Sequence, residues 1–588
     1  MKYFIDLITE EMKSAFKKAG YDENLGRVTV SNRPDLCEFQ CNGAMAGAKM
    51  YKVAPIEIAN KVKEALEGSN VFSDVDAVMP GFLNLKLSDY FVVSYVSKMN
   101  DKNKFGLDAP DEVKNIVVDY GGPNVAKPLH VGHLRSAVIG EAVKRICKYI
   151  GHNTIGDIHL GDWGLQMGLV INEVKNRMPD LPYFDESFEG EYPKEAPFTV
   201  TDLEEIYPFA SGKSKEDPEY KAAAMEATLK LQSGLRGYMA LWKHIMDVSV
   251  TDMKKNYDKL NVNFELWNGE STVQYLIPDM VQSMKDDGYA YLSDGAYVID
   301  VKEDSDTKEM PPCILIKSDG ASLYNTTDLA TIKERVAKYN PTRMVYLTDK
   351  RQDLYFEQVF RAARKTKLIA DDVEMIHIGF GTVNGKDGHA FKTREGGVMR
   401  LEMLINEINE KTYERITSAR ELPEEEARQI AKTVALAAIK YGDLSNQASK
   451  DYIFDMDKFT SFEGDTGPYI LYTIVRIKSI LNKVKAEGFD VDNAEFKGCY
   501  EPSQKALMLE IAKFNAMMQN AYDEVAPHKI CGYIYDLSNL FNKFYHEVKI
   551  ASEEDADKKS SYIALLKLCV SMLETCIDVL GFSAPEKM

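Results

Sequence analysis

The sequence lacks long apolar runs and an excess of positive charge. No window approaches about 18 uninterrupted apolar residues, so we expect no membrane-spanning helix. The first residues mix acidic and basic side chains and contain no apolar signal-peptide core, which favours a cytoplasmic protein. Acidic residues outnumber basic ones by 91 to 72, for a net charge of −19. A protein held to nucleic acid by bulk charge is therefore excluded, and any RNA contact would need local basic patches.

Cysteine is also scarce, with eight residues scattered along a chain of 588. Only Cys37 and Cys41 lie close together, and this pair has neither a second cysteine pair nor a nearby histidine that would complete a metal site. We therefore expect reduced thiols at these positions and no structural metal.

Length and composition indicate a folded protein of several domains. A chain of 588 residues is too long for one hydrophobic core, and its 45% apolar and 28% charged residues are ordinary for globular proteins. Residues 1–105 combine a helical stretch near 54–66 with an alternating run at 77–87. This combination predicts an α+β N-terminal domain.

Residues 106–420 alternate between strand-like and helical patterns. Strand-like apolar runs lie at 115–119, 313–316, 343–347 and 375–380. Helical patterns separate most of these runs, which is typical of an α/β fold with a parallel sheet and crossover helices. A stretch rich in Pro, Glu and aromatic residues at about 179–217 interrupts the pattern and predicts a surface insertion.

Residues 421–588 carry no strand signal and predict an all-helical third domain. Amphipathic helices are expected at 424–441, 468–485, 504–518, 529–546 and 562–580. The Gly467-Pro468 pair sets proline at a favourable first helical position.

The most informative stretch is 117–150, in which a buried strand ends at Asp119 and the tetrapeptide HVGH at 130–133 opens an amphipathic helix. A helix that starts after a strand presents free N–H groups and the positive end of its dipole, which suits a phosphate. Spacing through Gly132 lets both imidazoles face one phosphate, and the missing Cβ leaves room for a nucleotide. As a bare tetrapeptide the pattern is weak, and a half-formed metal site or a capped helix is the alternative.

This H-x-G-H pattern resembles the signature of class I aminoacyl-tRNA synthetases, which related nucleotidyltransferases also carry. The longer run PNVAKPLHVGH at 123–133, with LRS after it, resembles arginyl-tRNA synthetases. Similar segments follow in the same order as in that family: GDWGLQMG at 161–168, SDGASLYNTTDLA at 318–330, RQDLYFEQVF at 351–360 and KDYIFDMDKFTSFEGDTGPYILY at 450–472. The resemblance covers essentially the whole chain. It implies a Rossmann-like catalytic domain, an N-terminal tRNA-contacting domain and a helical anticodon-binding domain of the DALR type.

An arginine substrate needs carboxylates for its guanidinium group, a ring or hydroxyl to fix its plane, and polar groups for its α-amino group. The side chains that offer these groups are Asp119, Asn124, Tyr324, Asp328 and Gln352. The resemblance implies that Asp119 and Asp328 bind the guanidinium and α-ammonium groups in some division. Many relatives have Ser or Ala where this chain has Gly122, so a hydroxyl contact there is not carried over. A surface or capping role is the alternative for each single side chain.

The KMSKS sequence that class I enzymes usually bring to the ATP phosphates is absent. GKDGHAFKTREGG at 385–397 takes its place, and many arginyl enzymes share this FKTR form together with a lysine before the H-x-G-H. The residues that the resemblance implies for catalysis and ATP binding are Lys127, His130, Gly132, His133, Lys392 and Arg394. A solvated loop is the alternative for Lys386 and Lys392. Magnesium is expected to arrive with ATP, because no carboxylate cage is evident.

Contacts with tRNA are expected at two places. The helix at 468–485 combines Tyr469 and Tyr472 with Arg476, an aromatic and basic set suited to stacking on unpaired bases. Tyrosines of the corresponding family segment contact the anticodon loop, although the i, i+3 spacing also predicts that one tyrosine lies in the core. In the first domain, Phe82 and Asn84 resemble residues that approach the outer corner of tRNA, with a plain strand end as the alternative.

The resemblance implies an arginine–tRNA ligase, which makes arginyl-adenylate from L-arginine and MgATP and transfers arginine to the 3′-terminal ribose of tRNA(Arg). We expect the chain to act as a monomer. An inactive tRNA-binding paralogue would lose the histidines and the pocket acids, and a stand-alone nucleotidyltransferase would not need the C-terminal helices. Cysteine or glutamate specificity is disfavoured by the missing zinc ligands and by acids where a glutamate substrate would need cations.

Overall fold

The computed structural model describes residues 1–318, 320–389, 391 and 399–588. The chain divides by its internal contacts into two compact units. One unit comprises Met1–Ala109, Tyr469–Asp578 and Ser583–Met588, and the other comprises Pro110–Pro468 and Val579–Phe582.

The first 109 residues form an antiparallel sheet packed against helices. Its strands, in the spatial order β1–β2–β4–β3, are β1 (Val28–Val30), β2 (Phe39–Cys41), β3 (Phe72–Val78) and β4 (Phe82–Leu87). The helices are α1 (Phe4–Lys18), α2 (Gly43–Tyr51), α3 (Pro55–Ala65) and α4 (Asp89–Asn100). The alternation at 77–87 arises because Leu83, Leu85 and Leu87 are buried while their neighbours face outward. The α+β prediction for this region is confirmed.

The two close cysteines lie in this region, and each has its own hydrogen-bond partner. The thiol of Cys37 donates to Ser31 Oγ at 3.2 Å, and that of Cys41 donates to the carbonyl oxygen of Leu25 at 3.5 Å. Burial raises the pKa of Cys41 to about 11. Both are therefore buried thiols with structural contacts.

Strands and helices alternate in residues 110–468. The strands are β5 (Asn115–Asp119), β6 (Asn153–Asp157), β7 (Ala290–Ser293), β8 (Ala296–Ile299), β9 (Cys313–Ile316), β10 (Arg343–Asp349), β11 (Glu374–Phe380), β12 (Val383–Asn384) and β13 (Tyr452–Ile453). The helices are α5 (Leu134–Ile150), α6 (Leu165–Arg177), α7 (Val200–Glu216), α8 (Pro218–Gln232), α9 (Arg236–Lys259), α10 (Ile277–Asp286), α11 (Tyr324–Tyr339), α12 (Asp353–Lys365), α13 (Leu401–Ala419), α14 (Glu424–Leu444) and α15 (Met456–Phe459).

A parallel sheet in the order β11–β10–β5–β6 forms the centre of this unit. The middle residues of β5 are fully buried, and so are the apolar residues of α5 that pack behind it. All four strands run in one direction, so their carboxyl ends, including Asp119 and Asp157, lie on the same edge. The predicted Rossmann-like α/β class is confirmed.

Three details of this unit differ from the sequence predictions. The run at 313–316 is strand β9, but it pairs antiparallel with β8 in a separate sheet ordered β7–β8–β9. The fourth strand of the parallel sheet is β6. It was not predicted, because its sequence is short and partly polar. Strands β7 and β8 form a hairpin around Asp294 and Gly295, both with positive φ, and the Asp-Gly pair is a hairpin signal in the sequence.

The insertion at 179–217 contributes no strand and contains helix α7. A capping box begins this helix, because Thr199 Oγ1 accepts from Asp202 N and Asp202 Oδ2 accepts from Thr199 N. The prediction that no strand follows residue 423 is wrong, because the short strand β13 pairs in parallel with β12.

The rest of the chain is helical. Its helices are α16 (Gly467–Ala486), α17 (Pro502–Ile511), α18 (Phe514–Asp523), α19 (His528–Glu547) and α20 (Ala556–Val579). The helix predicted at 504–518 is in fact two, α17 and α18, because the chain turns at Ala512 and Lys513 without a Pro or Gly that could have signalled the break. Within its unit this region packs on the first 109 residues, where Lys505 Nζ lies 3.0 Å from Glu38 Oε1.

Candidate active site

Residues 130–133, here called the histidine turn, lie between the carboxyl end of β5 and the start of α5. His130 Nδ1 accepts a hydrogen bond from Gly132 N at 3.0 Å, and His133 Nδ1 accepts one from His130 N at 3.1 Å. The two ring centroids are 3.9 Å apart. A Cβ at Gly132 would lie 2.7 Å from the His130 ring, so the glycine makes room first for the imidazole itself.

Both imidazoles of the histidine turn are held neutral. Burial and the charge of Lys127 lower the pKa of His130, while burial, His130 and Lys127 lower the pKa of His133 to about 3. A neutral imidazole that accepts at Nδ1 carries its proton on Nε2. The turn therefore offers two adjacent Nε2–H donors, which can stabilise phosphate oxygens without carrying a charge.

Lys127 supplies positive charge beside the histidine turn. Its Nζ lies 4.3 Å from the centroid of the Tyr207 ring in α7. Lys386, by contrast, is 66% exposed and pairs with Asp455 at 3.1 Å, as the solvated-loop alternative for that lysine predicts.

Lys392 and Arg394 lie outside the described residues. The chain that follows them returns to the histidine turn, because two backbone hydrogen bonds of 2.9 and 3.0 Å join residues 399–401 to residues 129–131. An isolated antiparallel bridge joins His130 to Arg400 at the same place.

A buried arginine is shared by the two acids at the ends of β5 and β6. Arg335 Nη2 lies 2.5 Å from Asp119 Oδ2 and 2.8 Å from Asp157 Oδ2. Arg335 and Asp157 are each only 1% exposed. Arg335 therefore offsets only part of the negative charge of the two carboxylates, while it occupies Asp119 Oδ2.

Asp328 and Glu270 are two further acids, and among the described residues neither carboxylate has a salt bridge, although Arg335 acts on Asp328 at longer range. Asp328 accepts a hydrogen bond from Tyr355 Oη, and burial raises its pKa despite that bond. Burial together with the charges of Asp162 and Asp328 raises the pKa of Glu270 to about 8. Glu270 was not predicted from the sequence, because it lies in a short turn with no periodic pattern.

The segment GDWG positions Glu270. Asp162 accepts hydrogen bonds from Ser271 N at 2.9 Å and Ser271 Oγ at 2.6 Å. The backbone of Glu270 also donates to the carbonyl oxygen of Leu160 at 3.1 Å. The motif thus holds a carboxylate from a distant part of the chain at the edge of the parallel sheet.

The remaining predicted pocket residues lie around this edge. Tyr324 begins α11, one helical turn before Asp328, and is 68% exposed. Asn124 is exposed, and its backbone forms an isolated parallel β-bridge with Gly161. Gln352 is exposed and follows β10 directly. Tyr324 and Asp328 thus lie on one helix that packs against the turn beginning at Glu270, and Asn124 and Gln352 lie on neighbouring loops of the same edge.

A separate aromatic and basic surface joins α16 and α19. Arg476 donates from Nη2 to Tyr472 Oη at 2.9 Å and from Nη1 to Asn542 Oδ1 at 2.8 Å. Tyr469 Oη donates to Asn539 Oδ1 at 2.7 Å. Neither tyrosine is buried, and Tyr472 is 40% exposed, so the expectation that one of them lies in the core is wrong.

Phe82 and Asn84 lie on the outward face of β4. They alternate with buried leucines, and Asn84 Oδ1 accepts a hydrogen bond from Gln40 Nε2 at 2.9 Å. Their half-buried side chains are available on one surface of the sheet.

Among the described residues, no group of three or more His, Cys, Asp or Glu side chains could hold a metal ion. No helix in that part of the chain is long and apolar enough to cross a membrane.

A parallel sheet with a histidine turn at the carboxyl end of a central strand is the architecture of class I aminoacyl-tRNA synthetases. The family model described as the catalytic domain of class I (R) tRNA synthetases matches residues 96–456. The DALR anticodon binding domain matches residues 470–588, and the arginyl-tRNA synthetase N-terminal domain matches residues 3–87. The chain therefore belongs to the arginyl-tRNA synthetase family.

Similar proteins agree over the full length. An arginine–tRNA ligase of Agathobacter rectalis is 62% identical, and one of Alkaliphilus oremlandii is 53% identical, each with 100% of both chains covered. Arginyl-tRNA synthetase structures from Plasmodium falciparum (24% identity, TM-score 0.81) and Thermus thermophilus (21% identity, TM-score 0.77) share the fold, again with 100% of both chains covered.

Proposed function

We propose that the histidine turn and the acidic pair Asp328–Glu270 together activate arginine in this chain. Membership of the family establishes the overall reaction, in which ATP and arginine are used to charge tRNA with arginine. The observation that carries the residue assignment is that the carboxyl-end edge of one parallel sheet carries both sets of groups: the two neutral imidazole donors follow β5, and Glu270 bonds through its backbone to Leu160, just after β6.

The first step is in-line attack of the arginine carboxylate on the α-phosphorus of ATP. The bond to pyrophosphate breaks as the new carboxyl–phosphate bond forms, so no protein base is required. The Nε2–H groups of His130 and His133 donate to the oxygens that gain charge in the transition state. Lys127, Lys392 and Arg394 are assigned to the charge of the phosphates, and Gly132 to the backbone beside them.

Arginine is recognised by charge and planarity. Asp328 and Glu270 present carboxylates to its cationic groups, and Tyr324 offers a ring at the entrance. Asn124 and Gln352 are assigned to the α-amino and carboxylate end. Asp119 is assigned a supporting part, because its Oδ2 already pairs with Arg335.

Magnesium enters with the substrate as MgATP. The described residues offer no cluster of three ligands for a resident ion, so the phosphates and water would supply most of its coordination.

The second step transfers arginine to the 3′-terminal ribose of tRNA(Arg). Tyr469, Tyr472 and Arg476 are assigned to bases of the anticodon loop, where exposed aromatic rings next to a guanidinium favour stacking. Phe82 and Asn84 are assigned to the outer corner of tRNA. We further propose that the chain acts in the cytoplasm as a monomer.

Arginine-dependent ATP–pyrophosphate exchange, measured with and without tRNA(Arg), tests this proposal. Exchange should occur with arginine, not with lysine, glutamate or cysteine, and it should depend on tRNA(Arg), as the family resemblance implies. Full exchange without tRNA would contradict the tRNA dependence. Comparable charging by lysine would contradict the pocket assignment.

A further inference from the structure

The residues Leu-Arg-Ser that follow the histidine turn have no part in the reaction described above. Arg135 and Ser136 are nevertheless buried in the first turn of α5, at 1% and 8% exposure. Ser136 Oγ accepts from Gly121 N at 2.8 Å and donates to the carbonyl oxygen of Leu347 at 2.9 Å. This serine therefore ties the start of α5 to the carboxyl ends of β5 and β10.

Arg135 connects the start of α5 to Gly381, the residue that follows β11. Its Nη1 donates to the carbonyl oxygens of Gly381 (2.9 Å) and Lys450 (2.8 Å), and its Nε donates to Asp443 Oδ2 at 3.2 Å. Tyr452 Oη donates to the same Asp443 oxygen at 2.9 Å, and its ring lies 5.1 Å from the guanidinium carbon. Asp443 is fully buried, so this network lies inside the protein, and Arg135 Nη2 and Asp443 Oδ1 have no hydrogen-bond partner among the described residues.

Residues 381–384, here called the loop root, begin the segment that continues to residues 385–397. The loop root is fixed to the strand region around β13: Gly381 N donates to Ala448 O at 3.0 Å, and Thr382 N donates to Asp451 Oδ1 at 2.8 Å. The chain later returns to the histidine turn through residues 399–401. One guanidinium thus spans the short gap between the helix of the histidine turn and the loop root.

From this geometry we infer that Arg135 is a positioning residue for arginine activation, which fixes the histidine turn relative to the loop root. The inference rests on the proposed role of the histidine turn. Transition-state donors must be placed within a fraction of an ångström, and a shift of about 1 Å can cost about 10²-fold in rate. A planar guanidinium suits this task, because its Nε and Nη1 donors lie on separate nitrogens that point in different directions, whereas the three donors of lysine share one nitrogen.

The test uses Arg135→Lys and, because a buried charge variant can fail to fold, also Tyr452→Phe. The Tyr452→Phe change removes only the hydroxyl donor to Asp443 and keeps the ring. Arginine-dependent pyrophosphate exchange with tRNA(Arg) gives kcat and KM for ATP and arginine. Arg135→Lys should lower kcat by about 10²-fold with both KM values within about threefold. Tyr452→Phe should lower kcat by a smaller factor in the same pattern.

Arg343→Lys is the matched control. Arg343 is also buried, at 5% exposure, and pairs with Glu374 at 2.6 Å at the opposite, amino-terminal end of the same sheet. Its replacement should lower the melting temperature but leave kcat unchanged. A second comparison places Arg135→Lys or Tyr452→Phe in a His133→Ala background, where the further loss in kcat should fall below about fivefold, since the donor being positioned is gone.

The inference is overturned if Arg135→Lys keeps wild-type kcat, whatever its melting temperature, or if the control Arg343→Lys loses kcat to the same extent. It is also overturned if the defect appears only in KM, or if the losses multiply fully with His133→Ala. When Arg135→Lys does not fold, the same criteria apply to Tyr452→Phe. Failure of the proposed function would be seen separately, as wild-type exchange in the His133→Ala single variant.

Discussion

Arginine binding should strengthen as the pH rises from 7 to 9, because Glu270 must lose a proton to meet a cation. The pKa of Glu270 in the free protein is raised to about 8 by burial and by the charges of Asp162 and Asp328. A guanidinium or ammonium group favours the ionised carboxylate. Binding should therefore lower this pKa and release a proton.

The magnitude follows from the ionised fraction. With a pKa of about 8, Glu270 is about one-eleventh ionised at pH 7 and about ten-elevenths ionised at pH 9. The apparent Kd scales with the inverse of the binding-competent fraction, so arginine should bind roughly tenfold more tightly at pH 9 than at pH 7. At pH 7 each arginine bound should release about 0.9 proton. A charge-assisted hydrogen bond of about 1.5 to 3 kcal/mol means that Glu270→Gln should weaken binding by roughly 10- to 150-fold at pH 9, and far less at pH 7.

Isothermal titration calorimetry in two buffers of different ionisation enthalpy measures both the affinity and the proton count. Glu334→Gln is the matched control: Glu334 is buried in α11 at 5% exposure and pairs with Lys338 at 2.8 Å. The Glu334→Gln variant should keep the wild-type pH profile. Because the substrate's own amino group titrates in the same way with every variant, the difference between two profiles reports on the protein alone. No proton release at pH 7, or an unchanged profile in Glu270→Gln, would refute a position of Glu270 against the cationic substrate.

Three further results are expected. His133→Ala should lower the rate of pyrophosphate exchange by about 10²- to 10³-fold with little change in arginine KM, and an unchanged rate with a raised KM would place His133 in substrate binding instead. Asp328→Asn should lower kcat/KM for arginine by roughly 10- to 200-fold while ATP affinity stays constant; a defect confined to ATP would show that the residue does not face the amino acid. Tyr472→Ala should weaken tRNA binding by about 1 to 3 kcal/mol in a filter-binding assay, whereas a large drop in melting temperature without a tRNA defect would make it a structural residue.

Local features of this protein are those that the sequence alone predicts well. The histidine turn is contiguous, so its strand, glycine and helix start follow from neighbouring residues, and β5 has the predicted bounds Asn115–Asp119. The long C-terminal helices follow from apolar periodicity, as in α14 and α19. The break between α17 and α18 does not follow from apolar periodicity, because no helix-breaking residue marks it. It depends on the packing that buries Ala512 and Phe514.

The sequence by itself determined the family, the α/β class and the chemistry of the histidine turn, because these depend on residues close together in the chain. Only the tertiary structure decided which acids meet which partners. Asp119 pairs with Arg335, and the turn that begins at Glu270 packs against α11, which carries Asp328, although these residues are far apart in the sequence. Burial makes an unmatched charge costly, so the fold, and not the sequence motif, determines which carboxylate is compensated and which stays available for a cationic substrate.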